Sequence, residues 1–266
     1  DTSTVMALSL AGFHLKIPIA HVEAGLRSKN ISEPFPEELN RRIVSLMATY
    51  HFAPTERAKN NLLLEGVEAK KILLSGNTIV DAVHSQVSDS LSGDIPLRGN
   101  KKILVTAHRR ENHGKGIRNI CLAVKQFAAE NPNVSFYWPI HPNPSVKLVV
   151  ENHLKDIHNV ILLKPLAFDQ LITLENLVDL IWTDSGGIQE EAASLRKPVL
   201  ILRNLTERPE VVEAGFGIIT GTNIEKILKE TTRLFSDANV YQDMLRGTNP
   251  FGDGNSAQII VNHILK

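Results

Sequence analysis

The stretch that decides the fold runs from 178 to 195 and reads VDLIWTDSGGIQEEAASL. An apolar run ends at Thr183, two glycines follow at once, and a helical pattern then begins. A strand that passes through a glycine turn directly into a helix is typical of parallel βαβ units, which hold ligands at the carboxyl ends of their strands. The segment therefore predicts an α/β fold with an anion-binding turn.

Short β-branched runs alternate with amphipathic helical patterns almost to the end of the chain, as a parallel sheet requires. Predicted strands lie at 17–21, 72–75, 102–106, 134–138, 160–163, 178–183 and 198–202. The polar segment SGDIPLRGN, 92–100, predicts a domain boundary. Residues 96–250 hold enough strand–helix units for a complete Rossmann-like domain, whereas residues 1–95 hold too few. Residues 251–266 predict a tail helix that crosses back to the first domain.

The composition excludes some function classes and gives an expectation for location. Acidic and basic residues number 29 each, so no net charge attracts nucleic acid or an anionic membrane. No apolar run approaches the ~18 residues of a membrane span. The single cysteine, Cys121, falls on the apolar face of a helical pattern and predicts a core residue. We expect a cytoplasmic protein whose first helix follows an absent upstream segment.

The DSGG turn combines features that suit a phosphate. Gly186 and Gly187 leave the backbone N–H groups of a helix N-terminus open, and Ser185 can cap the helix or donate to the same anion. Glu191 lies about 1.5 turns further along, within reach of ribose hydroxyls. The alternative is a tight strand-to-helix turn with an ordinary cap.

A second charged segment, TAHRRENHGKG at 106–116, follows the predicted strand 102–106. Its position at a carboxyl end of a parallel sheet favours a ligand-binding role for His108 and its neighbours. A metal site is disfavoured because His108 and His113 are five residues apart, off the helical i, i+4 spacing. A solvated charged loop remains the alternative.

Carboxylates cluster in the segment HVEAGLRSKNISEPFPEELNRR, 21–42. Glu23 follows a predicted strand, and Glu37 opens a helix after Pro36. Such side chains can supply acid and base, but Glu37 and Arg41 also have the i, i+4 spacing of a simple helix-surface pair.

Two weaker segments complete the candidates. TERPE, 206–210, could direct Arg208 toward a phosphate or a carboxylate, or it could form an exposed Glu–Arg turn. IHPNP, 140–144, ends a strand with His141, although a helix-starting turn also explains its prolines.

Eight segments in order resemble the non-hydrolysing UDP-N-acetylglucosamine 2-epimerases. They are HVEAGLR at 21–27, PFPEELNRR at 34–42, HFAPTERA at 51–58, GNTIVDA at 76–82, TAHRREN at 106–112, TDSGGIQEEA at 183–192, RNLTERPE at 203–210 and NPFGDG at 249–254. The resemblance implies two Rossmann-like domains of GT-B type, the first one incomplete, with UDP held in the cleft. It also implies a homodimer at full length and neither cofactor nor metal.

The resemblance further implies roles for named residues. Asp1, Glu23 and Glu37 would transfer protons and His108 would assist the leaving group. Ser185, Gly186 and Gly187 would hold the diphosphate, with Arg208 close by, and Glu191 would hold the ribose. Phe168 would pass by the uracil, although Leu171 stands where relatives often carry an aromatic. Arg110 and His141 match positions that help bind a second, activating UDP-GlcNAc.

The reaction implied is interconversion of UDP-GlcNAc and UDP-ManNAc by elimination and re-addition of UDP through 2-acetamidoglucal. The alternatives are a hydrolysing UDP-GlcNAc 2-epimerase, a UDP-sugar-binding fragment without activity, and a GT-B glycosyltransferase, which would need an acceptor.

Overall fold

The computed structural model describes residues 1–32, 34–90 and 95–266. The chain divides into two compact units, the first made of Asp1–His84 with Pro250–Lys266 and the second of Ser85–Asn249. Residues 92–94 of the predicted boundary segment lie outside the described residues. No described helix has both the length and the apolar character required to cross a membrane.

The first unit holds a small parallel sheet in the order β1-β2-β3 with helices around it. Its elements are α1 (Ser3–His14), β1 (Ala20–Val22), α2 (Glu37–Met47), β2 (Tyr50–Ala53), α3 (Glu56–Leu64), β3 (Ile72–Leu74), α4 (Thr78–Gln86) and α12 (Ser256–Ile264). The helices begin where a threonine can cap them: the hydroxyls of Thr2 and Thr55 accept N–H groups from the first turns of α1 and α3.

The second unit is built on a six-stranded sheet, with every pair of neighbouring strands parallel. Its elements are β4 (Lys101–Thr106), α5 (Lys115–Glu130), β5 (Val134–Pro139), α6 (Pro144–Leu154), β6 (Val160–Leu163), α7 (Phe168–Leu177), β7 (Leu180–Thr183), α8 (Gly186–Ser194), β8 (Val199–Ile201), α9 (Pro209–Glu213), β9 (Gly217–Ile219), α10 (Ile224–Ser236) and α11 (Ala238–Leu245).

The strand order β6-β5-β4-β7-β8-β9 is the doubly wound order of Rossmann folds. The chain winds outward in one direction from β4 and then returns to β7 on its other side. Loops after these two neighbouring strands therefore diverge and leave a crevice at their carboxyl ends. The α/β class with Rossmann-like architecture predicted from the sequence is confirmed.

The core of the second unit packs helices against both faces of this sheet. Trp138 and Trp182 are fully buried in it, and so is Cys121, as its place in the helical pattern predicts. Two strands, β2 and β9, are absent from the strands predicted above. Each has no more than four residues, and β2 opens on Tyr50 and His51, so neither carries the apolar run on which a sequence prediction depends.

Candidate functional site

The loops after β4 and β7 are joined by one buried carboxylate, that of Asp184. It accepts the backbone N–H groups of His108 at 3.0 Å and Arg109 at 2.9 Å, and the side-chain amide of Asn112 at 2.9 Å. Because Asp184 is fully buried, its carboxylate loses its hydration, and these charge-assisted hydrogen bonds replace the hydrogen bonds to water. The carboxylate thereby fixes the backbone that carries His108.

His108 lies at the crevice in a neutral state. Its Nδ1 is 3.7 Å from an Asp184 oxygen, and its ring stacks on His141 with centroids 5.1 Å apart. Burial lowers the pKa of His108, Asp184 opposes that shift, and the neighbouring His141 and Arg109 reinforce it. A neutral imidazole at pH 7 can donate a hydrogen bond to an anion or exchange a proton with one.

The N-terminus of α8 is open and polar. Ser185 is the N-cap residue, yet its side chain makes no capping hydrogen bond. A Cβ placed on Gly186 would lie 3.7 Å from Arg109 Nη2, and one on Gly187 would lie 3.9 Å from both Ser185 Oγ and Glu191 Oε1. The predicted turn residues Ser185, Gly186 and Gly187 therefore lie close to Glu191, and the Arg109 guanidinium lies beside them.

Arg109 was not among the residues predicted to bind, although it stands in the charged loop beside His108. Its Nε is buried without a partner in the described part of the chain, and its terminal nitrogen faces Gly186. A free guanidinium donor next to the positive end of a helix favours an anion strongly. The signal available in the sequence was only that two arginines follow His108.

Arg208 is placed differently from the prediction of an exposed turn. It is 8% exposed and its Nε pairs with the buried carboxylate of Glu190 on α8. Thr206 donates to Gln189 at 2.6 Å, and Gln189 donates to the backbone oxygen of Ser185 at 3.1 Å. The exposed-turn alternative is therefore wrong, and this segment is tied to the anion-binding helix.

The remaining predicted residues of the second unit are accessible. Phe168 is the first residue of α7 and is 41% exposed. Arg110 lies in the short 3-10 turn Arg110–Asn112 and is exposed, as is His141. Leu171 is half-buried on α7.

The predicted carboxylates of the first unit stand near one another. Glu23 has a φ of 64°, in the left-handed region, directly after β1. Gly25 has a φ of 87°, and a Cβ there would meet the backbone oxygen of Ala58 at 2.1 Å, so only glycine fits this turn. Asn77 donates to Glu23 at 3.3 Å. The left-handed backbone directs the Glu23 carboxylate, which is a feature found at functional sites.

Asp1 and Glu37 complete this group. Arg41 donates twice to the Asp1 carboxylate, at 3.0 and 2.7 Å, and Glu37 Oε2 is buried with no partner among the described residues. The pKa of the Asp1 amino group is lowered by burial first and then by Arg41, whereas Glu23 and Glu37 oppose the shift. The structure thus brings Asp1, Glu23 and Glu37 into one electrostatic neighbourhood.

Within the described ranges, no three histidine, cysteine or acidic side chains group closely enough to hold a metal ion. The candidate residues fall into two groups, each within its own unit: the carboxylates Asp1, Glu23 and Glu37 in the first unit, and the α8 N-terminus with His108 in the second.

Comparison with known proteins gives consistent matches along the whole chain. A family model described as UDP-N-acetylglucosamine 2-epimerase matches residues 1–265. A UDP-N-acetylglucosamine 2-epimerase of Neisseria meningitidis is 44% identical over 276 residues, which cover 100% of this chain and 74% of the relative.

Two solved structures extend the likeness to three dimensions. The crystal structure of UDP-GlcNAc 2-epimerase from Neisseria meningitidis bound to UDP-GlcNAc has a TM-score of 0.90 at 42% identity, covering 100% of this chain and 74% of that one. The S. aureus MnaA–UDP co-structure has a TM-score of 0.95 at 43% identity, covering 99% and 73%. The chain therefore spans about three quarters of the length of these relatives.

Proposed function

Because the chain belongs to the UDP-N-acetylglucosamine 2-epimerase family, we propose that it interconverts UDP-GlcNAc and UDP-ManNAc by eliminating and re-adding UDP. The observation that carries the proposal is the uncapped N-terminus of α8, with the Arg109 guanidinium beside its glycines. A diphosphate is the group that this arrangement suits, because backbone N–H donors, the helix dipole and a cation all favour negative charge.

The second unit would hold the nucleotide. Ser185, Gly186 and Gly187 would bind the diphosphate, Glu191 would accept hydrogen bonds from the ribose, and Phe168 would lie against the uracil. Arg208 would act close to the diphosphate while paired with Glu190, so its contribution would be to hold α8 and its loop in place.

The chemistry needs a proton removed from C2 of the sugar and a leaving group stabilised at C1. A carboxylate takes the C2 proton, the electron pair forms the C1–C2 double bond, and the C1–O bond breaks with its electrons passing to the diphosphate. The products of this half-reaction are 2-acetamidoglucal and UDP. In the return step UDP oxygen attacks C1 and a carboxylic acid delivers a proton to the opposite face of C2.

The carboxylates of Asp1, Glu23 and Glu37 are assigned to these proton transfers. The C2 proton is weakly acidic, so the base shares the work with stabilisation of the leaving diphosphate. Neutral His108, fixed through the Asp184 carboxylate, is assigned to the leaving group as a hydrogen-bond donor. Arg110 and His141 are assigned to an activating second UDP-GlcNAc.

Solvent isotope incorporation tests the reaction directly. The chain is incubated with UDP-GlcNAc in heavy water, and the nucleotide sugars are analysed by NMR and mass spectrometry. Deuterium at C2 together with UDP-ManNAc is expected. UDP-GlcNAc that stays unlabelled while no epimer forms would rule the assignment out.

The same experiment separates the alternatives. A hydrolysing enzyme would release free ManNAc and UDP, and a glycosyltransferase would release UDP only when an acceptor is added. Calorimetric binding of UDP without turnover would indicate a binding fragment, whereas absence of UDP binding would contradict the α8 site itself.

For assembly and location we propose a homodimer in the cytoplasm. The free, buried Cys121 is compatible with a reducing compartment. Sedimentation equilibrium would test the dimer, and a monomer at all concentrations would contradict it.

A further inference from the structure

Glu175 on α7 is a buried carboxyl group that the proposed chemistry does not use. Its exposed fraction is 0%, and no donor group in the described part of the chain reaches either of its carboxylate oxygens. An ionised carboxylate in such a place would lose its hydration without gaining a hydrogen bond, at a cost of several kcal/mol. The group is therefore stable there only if it carries a proton.

The acceptor for that proton is Glu191 on α8. Glu191 is 7% exposed, its Oε2 is likewise buried with no donor in the described residues, and its carboxyl group lies within hydrogen-bonding reach of that of Glu175. Two carboxyl groups can share a hydrogen bond only when one of them is protonated, and like charges this close do not both ionise in a low-dielectric interior.

The physical setting decides which partner holds the proton. Burial first, and then the charge and hydrogen bond of Glu191, raise the pKa of Glu175 well above its usual range. Burial also raises the pKa of Glu191, but the hydrogen bond from Glu175 works against that shift. The deeper residue is therefore the acid and donor, and the shallower one carries the single negative charge.

The two oxygens of Glu191 have different surroundings. Oε2 is buried with no donor in the described residues, whereas Oε1 lies near the start of α8, 3.9 Å from the position of a Cβ on Gly187. One oxygen is available to the partner glutamate and the other to a ligand at the helix terminus. A single orientation of the carboxylate serves both.

We propose that Glu175 is a positioning residue, whose protonated carboxyl donates to Glu191 and holds the Glu191 carboxylate in the orientation that selects a ribose. The inference rests on the proposed function, in which Glu191 receives the ribose hydroxyls. The placement of α7 supports it, because Glu175 lies seven residues after Phe168 and therefore on the same face of the helix. Phe168 is the residue assigned to the uracil.

The test compares the affinity for UDP with that for 2′,3′-dideoxy-UDP by calorimetry. Only the ribose contact distinguishes these probes. Wild-type protein is expected to prefer UDP. Glu175→Leu is expected to lose about tenfold of that preference, the equivalent of one hydrogen bond to a charged group, while its affinity for the dideoxy probe changes by less than about twofold. Glu175→Gln, which keeps an N–H donor, should retain the preference.

Two further variants make the result specific. Thr173→Val removes another buried polar group of α7, whose hydroxyl only donates to the backbone of Asp169, and should leave the preference unchanged. Glu191→Leu should abolish the preference. Unchanged affinity for the dideoxy probe, together with unchanged far-UV circular dichroism, reports that each variant folds.

The failures are distinguishable. If wild-type protein binds both probes equally, Glu191 does not bind the ribose hydroxyls, and the proposed role of Glu175 is wrong as well. If Glu191→Leu loses the preference but Glu175→Leu keeps it, the ribose contact stands and the role of Glu175 is overturned. A Glu175→Gln variant as defective as Glu175→Leu would also overturn it.

Discussion

Glu37 is the carboxylate whose removal should affect turnover most selectively. Its Oε2 is buried without a partner in the described chain, so the side chain supports no hydrogen bond there that a glutamine would break. Glu37→Gln is expected to lower kcat by about 10²- to 10⁴-fold, the usual contribution of a general acid or base. UDP affinity, measured by calorimetry, should change by less than about twofold. Glu56→Gln, on an exposed helix start, is the matched control, and a kcat of Glu37→Gln within about threefold of wild type would contradict the assignment.

His21 should make the protein sensitive to acid. Its pKa is lowered from 6.5 to about 3, by burial first and then by the positive charges of His51, the terminal amino group, Arg27 and Arg41. Below pH 6.5 His21 is protonated in the unfolded chain but stays neutral in the folded protein. The free energy of unfolding therefore decreases as the pH falls from about 6.5 toward 3. At about pH 5 the expected loss is ~2 kcal/mol.

Urea unfolding of wild type and His21→Gln at neutral and acidic pH measures this loss. The variant should show a smaller decrease of unfolding free energy between the two conditions, because it has no imidazole to protonate. His158→Gln replaces an exposed histidine and should behave as wild type. Equal acid sensitivity of His21→Gln and wild type would show that other groups dominate.

At the scale of elements, a methyl group added at the start of α8 should leave the fold stable but weaken the binding of UDP. A Cβ on Gly186 would have its nearest neighbour at 3.7 Å, an ordinary contact, and alanine favours helices over glycine by about 0.5–1 kcal/mol. Gly186→Ala should therefore keep or raise thermal stability while lowering UDP affinity by at least about tenfold, because the methyl group occupies the place of the anion.

Gly12→Ala on α1 is the matched control, since its Cβ would also meet its nearest neighbour at an ordinary 3.6 Å. It should raise stability similarly without any change in UDP affinity. Wild-type affinity in Gly186→Ala would mean that the diphosphate does not contact this terminus.

At the scale of the whole molecule, the C-terminal segment is part of the first unit. The Asp81 carboxylate on α4 accepts the N–H groups of Ser256 at 3.2 Å and Ala257 at 2.9 Å, and Phe251 is 1% exposed. Its carbonyl accepts the N–H of Asn77 at 2.7 Å. Because this segment caps and covers the first unit, deleting residues 250–266 should loosen that unit.

Hydrogen exchange by mass spectrometry resolves the effect. Peptides from β2, β3 and α4 should lose protection in the deletion variant, whereas peptides from β4, β5 and β7 should keep it. A variant lacking only the exposed residues 265–266 is the control. Uniform loss across both sheets would indicate instead that the units unfold as one.

The sequence alone determined the α/β class, most of the strands and the two loops that carry the second-unit site. These follow from local rules: strand and helix periodicity, glycine at a strand-to-helix turn, and polar residues at the carboxyl ends of parallel strands. The strands β2 and β9 were not predicted because β2 opens on Tyr50 and His51 and β9 opens on Gly217, so neither begins with the apolar run that marked the predicted strands. The resemblance to a known family supplied the roles of the residues, which periodicity cannot.

Only the tertiary structure decided the contacts that make the site work. Asp184 binds backbone groups 75 and 76 residues away, and Arg208 pairs with Glu190 across 18 residues. The placement of Arg109 at α8 and the proximity of the buried carboxyl groups of Glu175 and Glu191 arise in the same way. The physical reason is that strand order and helix packing, not spacing along the chain, determine which side chains share a buried, low-dielectric environment.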